Sequence, residues 1–224
     1  MTQRVKPPTA QEAVLAELRR RLGLGLLRPG QAIPMEQLAE EFGVSRVPVR
    51  EAMRILEGEG RVLYTPHRGY AVAWLDADDL REIYRLRDVL EAEAVRSAAP
   101  LLAEADLSRM EAATREIDAA CAAADVAGLI PANRRFHFAL FEACGMPRLL
   151  RILEQIWDAS DQYRAVYFSD PKNRDLMRRE HATILRAARA RDAAALLRAV
   201  DEHRAHAVPV VTRLLQETVA APAS

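Results

Sequence analysis

The chain has 224 residues, with 32 Lys or Arg against 32 Asp or Glu, 50% hydrophobic residues and 29% charged ones. That composition excludes wholesale disorder, and the length suffices for one large or two small domains with real cores. No apolar run approaches the roughly 18 residues of a membrane span, and residues 1–8 lack the apolar core of a secretory signal.

Cys121 and Cys144 share no short metal or redox spacing. A soluble cytoplasmic protein with no membrane association is the expectation. The balanced total hides an asymmetry: Met1 to Leu75 holds 11 Lys or Arg and 8 Asp or Glu. A mildly basic front joined to a mildly acidic back suits two domains with different partners. Residues 1–75 are expected to form one domain, 76–216 a second, and 217–224 a disordered tail.

In chain order, Gln11 to Leu27 reads as a helix carrying Val14, Leu15, Leu18 and Leu22, closed by Arg28-Pro29-Gly30. Met35 to Glu41 reads as a short second helix. Phe42-Gly43-Val44 makes a turn, Ser45 caps a third helix, and Pro48 falls in its first turn, where a missing N–H costs little. That helix runs to about Glu59. Val62 to Tyr64 and Tyr70 to Val72 read as two strands around Thr65-Pro66-His67-Arg68-Gly69. After Asp76, six helices are expected: Asp78–Ala98, Glu104–Ala124, Pro131–Cys144, Arg148–Tyr167, Leu176–Arg189 and Ala193–Leu215. The fold class is therefore mainly α, with an N-terminal winged helix-turn-helix followed by an all-α antiparallel bundle.

The third helix divides its faces. Val49, Ala52, Met53 and Leu56 form an apolar stripe, and Arg46, Arg50 and Arg54 line the opposite side at i, i+4, i+8. A guanidinium row suits a helix in the major groove, where arginine chelates guanine or pairs with phosphate. His67, Arg68 and Gly69 at the ribbon tip would reach the adjacent backbone or minor groove. The alternative is a merely soluble face, with Glu51 and Glu57 as ion-pair partners.

The run Val44-Ser45-Arg46-Val47-Pro48-Val49-Arg50-Glu51-Ala52-Met53 resembles the recognition-helix signature of the GntR superfamily of bacterial transcription regulators. Leu38 to Gly43 and Pro66 to Gly69 match its flanking elements. The resemblance implies that Arg46 and Arg50 are the principal DNA contacts, with the wing around His67 and Gly69 assisting; Ser45, Val47, Arg54 and Arg68 complete the expected DNA-binding set. It implies a homodimer on a pseudo-palindromic operator in double-stranded DNA. Two departures bear on operator choice: Val47 replaces a usual threonine, and Glu36 stands where the fatty-acid-responsive branch has a DNA-contacting arginine.

In the helical half, His137, His181 and His203 each lie on an apolar stripe, and Asn133 is one turn before His137. Three inward imidazoles and an amide oxygen suit a transition metal, although each is equally compatible with a hydrogen-bonded core residue. Arg87 falls on its helix's inward stripe with Ile83, Tyr84 and Leu90. A buried guanidinium needs a partner, either Glu91 one turn on or a ligand carboxylate.

This half resembles the FCD ligand-binding domain of FadR-like GntR regulators, through Tyr84 to Glu91, Asn133 to His137, Glu180-His181 and His203. The resemblance implies a divalent metal at Asn133, His137, His181 and His203, zinc foremost, with nickel or manganese as alternatives. Independently of the resemblance, Arg87 is expected to clamp a small carboxylate effector whose other oxygen binds the metal, with Tyr84 and Arg134 completing the expected effector site. Asn133 stands where aspartate is frequent, which leaves the site one charge more positive. A repressor tuned by an organic acid is the expected function. The competing reading, a metal-dependent hydrolase with an appended nucleic-acid-binding domain, lacks a placed general base. Glu180 is about 100° around the helix from His181, and no His-Glu-x-x-His or Gly-x-Ser-x-Gly occurs. No enzyme activity is expected.

Overall fold

The computed structural model describes residues 8–220, with side chains through residue 216. The chain divides into two compact units, Met1–Trp74 and Leu75–Ser224.

In the first unit, α1 (Ala10–Gly23) starts at a capping box in which the Thr9 and Glu12 side chains accept each other's backbone N–H. It stops four residues before the expected end at Leu27. Gly25 takes φ +67°, Leu26 N–H reaches Arg21 C=O at 2.9 Å, and Gly25 N–H reaches Leu22 C=O at 3.0 Å. That pair of bonds closes a helix on a left-handed glycine and satisfies its last carbonyls. Next come β1 (Ala32–Ile33), α2 (Met35–Glu41), α3 (Arg46–Gly58), β2 (Val62–Thr65) and β3 (Gly69–Val72).

Strand β1 is absent from the sequence reading, because two residues carry no periodicity. It pairs antiparallel with β3, Ala32 opposite Ala71, making a three-stranded sheet of order β1-β3-β2. Val49, Ala52, Met53 and Leu56 of α3 are sealed against Val14, Leu18 and Leu22 of α1 and against Ile33, Val62 and Val72 of the sheet. With the apolar stripe consumed by this core, the arginine side of α3 faces solvent.

The second unit is helical: α4 (Ala77–Ala98), α5 (Glu104–Ala122), α6 (Val126–Phe141), α7 (Pro147–Ala159), α8 (Asp161–Ser169), α9 (Pro171–Ala190), α10 (Ala193–Ala205) and α11 (Ala207–Ala220). A short 3-10 turn, Glu142–Cys144, follows α6. Several boundaries differ from expectation, among them the start of α9, at Pro171 rather than Leu176. Helix α6 begins at Val126 because Asp125 caps it, accepting from Gly128 N–H at 2.9 Å, so Pro131 lies inside the helix. The single helix expected from Arg148 to Tyr167 is two, broken at Ser160. The one expected from Ala193 to Leu215 is also two, broken at His206. Helix α11 runs to Ala220, into the expected tail, and residues 221–224 lie outside the described part.

Candidate functional site

On α3, Arg46, Arg50 and Arg54 are all exposed. Arg46 pairs with Glu36 at 3.1 Å and Arg54 with Glu51 at 3.6 Å, while Arg50 makes no ion pair among the described residues. Exposed pairs of this kind are worth about 0–1 kcal/mol and yield readily to a phosphate. Ser45 occupies the N-cap position without a side-chain cap bond, and Val47 is exposed beside Arg46. At the ribbon tip His67 has φ +65° and Gly69 φ +82°. Two left-handed residues set the turn that holds Arg68 out to solvent. Nothing lies within 4 Å of a Cβ built on Gly69, so its glycine answers to backbone conformation rather than to crowding.

In the helical unit three helices deliver one histidine each: His137 from α6, His181 from α9 and His203 from α10. Their ring nitrogens lie within 4.8 Å of one another. His137 Nε2 and His181 Nε2 are 3.1 Å apart. Two nitrogens each about 2.1 Å from one ion take that separation when the angle at the ion is about 95°. His181 stacks on Phe136 at 4.1 Å between ring centres, which sets its plane. His203 Nδ1 donates to Glu180 at 2.7 Å, leaving Nε2 for the cluster, and His206 Nδ1 donates to the other Glu180 oxygen.

Burial holds the His137 imidazole well below its ordinary pKa, helped by His181 and His203. Burial and His203 do the same to His181. Both rings are therefore neutral at physiological pH, the form that donates a lone pair to a metal. The Asn133 Oδ1, buried one turn before His137, has no hydrogen-bond partner. A buried amide oxygen left unpaired costs about 1–3 kcal/mol. Three nitrogen donors, with a buried unpaired amide oxygen one helical turn from His137, are a donor set suited to a divalent transition ion.

Beside the histidines, Glu91 of α4 is 1% exposed and accepts three hydrogen bonds. They come from Arg87 Nε at 2.7 Å, Trp157 Nε1 at 2.7 Å and Arg204 Nη1 at 3.1 Å. Burial pushes its carboxyl up, but the Arg87 and Arg204 guanidiniums more than reverse this and hold it ionised. Arg87 also lies 4.3 Å over the Trp157 ring and 4.7 Å over the Tyr84 ring. A small cavity of about 30 Å³ opens here, lined by Tyr84, Arg87, Asn133, Trp157, His203 and Arg204, among others.

Family comparisons cover both units. Residues 10–72 match the "Bacterial regulatory proteins, gntR family" and residues 82–206 match the "FCD domain". The chain belongs to the GntR family. It is a DNA-binding transcriptional regulator rather than an enzyme. The "Uncharacterized HTH-type transcriptional regulator YdhC" of Bacillus subtilis is 29% identical over 202 residues, covering 90% of each chain. The "HTH-type transcriptional regulator McbR" of Escherichia coli is 32% identical over 141 residues, covering 63% of this chain and 64% of McbR. The solved structure of E. coli McbR/YncC superimposes with a TM-score of 0.84 at 25% identity, covering 93% of this chain and 99% of that one. No helix among the described residues is long and apolar enough to cross a membrane.

Among the residues expected at the effector site of this GntR-family chain, Arg87 and Tyr84 reach the cavity beside the histidines. Arg134 does not: it pairs with Asp158 at 2.6 Å, packs 4.5 Å over Phe138, and lines a separate cleft of about 390 Å³. One residue past Asn133, its side chain leaves α6 about 100° around the axis. The sequence reading also missed Arg164 and Arg204, both buried at the cavity. The signal was present for each. Leu196, Val200 and Arg204 recur every four residues, and Leu153, Trp157, Ser160 and Arg164 continue one stripe across the α7–α8 break.

Proposed function

We propose that this regulator is a repressor whose affinity for a pseudo-palindromic operator falls when a small organic acid binds beside a divalent metal in the helical unit. Asn133, His137, His181 and His203 would hold the ion, with zinc first among candidates by donor set, and nickel or manganese as alternatives. The ion would supply fixed positive charge and Lewis acidity to an effector oxygen. Glu180 fixes the ring of His203, and Arg87, ordered by Glu91, Trp157 and Tyr84, offers its guanidinium edge to the acid. The single observation that carries this reading is the clustering of three histidines, one of which, His203, lines with Asn133 a cavity walled by Arg87.

On the DNA side, Arg46, Arg50 and Arg54 would lie along the major groove. Ser45 and Val47 would meet it at the start of α3, with His67, Arg68 and Gly69 following the flanking backbone. Two such readers in a homodimer, acting in the cytoplasm, match the two halves of the operator. Effector binding and operator binding are then coupled by about 1–3 kcal/mol, equivalent to 5- to 150-fold in operator affinity.

The test uses an operator fragment selected from random DNA by the protein itself. After chelation, zinc should raise the melting temperature of the full chain but not of a His137→Gln, His181→Gln variant. An acid that stabilises only the zinc-loaded protein should weaken operator binding within the stated range. Identical melting with and without zinc, together with operator affinity indifferent to every acid, would overturn the proposal.

A further inference from the structure

Helix α4 buries Leu80, Arg87 and Glu91 on one side and leaves the opposite side open. On that open side Leu86 is 42% and Val89 65% exposed, and Glu82, Arg85, Glu93 and Arg96 are exposed with them. At 100° per residue, these side chains all fall within about 50° of one line along the helix. The stripe has an aliphatic centre and charged ends.

Its charges are ordered about Val89. Arg85 and Glu93 each stand four residues from Val89, and Glu82 and Arg96 each stand seven. Each matched pair carries opposite signs. Arg81 is taken by Asp78, and Arg96 comes only to 3.9 Å from Glu93, whereas Glu82 and Arg85 make no ion pair among the described residues.

Such a stripe is complementary to a second copy of itself in one orientation. A twofold axis through Val89 runs two α4 helices antiparallel, so the order of one copy is reversed. At 1.5 Å per residue, Arg85 then stands level with Glu93 of the second copy, about 6 Å from the axis. Glu82 stands level with Arg96 of the second copy, about 10 Å from it. Parallel helices in register would instead set Arg85 against Arg85 and Glu93 against Glu93, and like charges repel. A stable dimer buries roughly 800 Å² on each partner, more than one helical stripe offers. Helix α7 packs against α4 and adds Ile152, 51% exposed.

We infer that α4 is the centre of the homodimer interface, two copies crossing antiparallel about Val89 with Arg85–Glu93 and Glu82–Arg96 pairs between them. This rests on the reading above that the regulator is a homodimer, and it names the face, the orientation and the register.

Sedimentation velocity of the full chain over a dilution series tests this by reading the dimer dissociation constant. Arg85 and Glu93 are exposed, so Arg85→Glu and Glu93→Arg should fold normally, with unchanged circular dichroism. Each alone should weaken the dimer about tenfold or more. Two pairs per dimer become repulsive, and an exposed pair is worth up to about fivefold. The two changes combined should restore the constant to within about threefold of the original, because the pairs re-form with their signs exchanged; independent structural damage would add instead. Val89→Cys, in a Cys121→Ser background, should form a disulfide-linked dimer under mild oxidation, since a residue on the twofold axis meets its own copy. The remaining Cys144 is buried, and Cys121→Ser alone should not cross-link. A dimer indifferent to both single changes, one that the double change fails to restore, or no cross-link through Val89→Cys would overturn the inference while leaving a homodimer through another face. A chain that stays monomeric at micromolar concentration would remove both readings.

Discussion

Replacing Glu91 by glutamine tests the polar core of the helical unit directly. Glu91 accepts from Arg87, Trp157 and Arg204, and among the described residues it is the only carboxylate given a hydrogen bond by Arg87. The amide keeps the shape and one acceptor but removes the charge and turns an N–H₂ group toward a guanidinium. Removing one partner of a buried ion pair costs about 3–5 kcal/mol, since the remaining charge stays desolvated. Arg204 retains Asp88 and Asp201, so the burden falls on Arg87.

For a unit of about 150 residues, 1 kcal/mol moves the melting temperature by roughly 2–4 °C. The expected loss is therefore about 6–20 °C. Urea titration followed by Trp157 emission reads this unit, because Trp157 is buried while Trp74 is exposed. Arg87→Met gives the internal comparison. It leaves Glu91 ionised against Arg204 and Trp157, removes only one donor, and should cost less, about 1–3 kcal/mol. A loss below about 1 kcal/mol for Glu91→Gln, or a larger loss for Arg87→Met, would show that the three-donor arrangement does not hold these helices together.

Three further outcomes follow from the same geometry. Burial depresses the His137 and His181 pKa values, so the unfolded chain binds more protons. The stability of the metal-free protein is then full above the unfolded histidine pKa of about 6.5. It is lost as pH falls below that value, by up to about 1.4 kcal/mol per pH unit for each ring. Urea midpoints that stay flat between pH 7.5 and 5 would refute this. Glu180→Gln should weaken zinc binding about 10- to 100-fold, measured by chelator competition, because His203 loses the carboxylate that orients it. Unchanged zinc affinity would make Glu180 an ordinary surface partner. Arg50→Ala should cost about 1–3 kcal/mol in operator binding and relax preference at one base pair if Arg50 reads a base edge. A uniform loss across all DNA sequences, with a shallower salt dependence, would instead place Arg50 on a phosphate.

Periodicity along the chain settled which faces are apolar. That was enough for the winged helix-turn-helix with its arginine row, for the helical second half, and for the inward histidines. These are local properties: a stripe at i, i+3, i+4, i+7 declares its own buried side without reference to any other element. Helix ends were less legible, since Gly25, Ser160 and His206 end helices through hydrogen bonds and packing that a composition pattern does not carry. The two-residue strand β1 exists only because β3 offers it an edge.

At the site, a single helix's register predicted that Arg87 would be buried and that Glu91 was within reach. It could not show that Trp157 and Arg204, 66 and 113 residues further along, would share the same carboxylate. Nor could it separate Arg134, which points to another cleft, from Asn133 beside it. Convergence of His137, His181 and His203 depends on the packing of α6, α9 and α10. Packing is set by the shapes of all the intervening side chains at once, and for that reason the cavity with its three guanidiniums appears only when the helices are assembled.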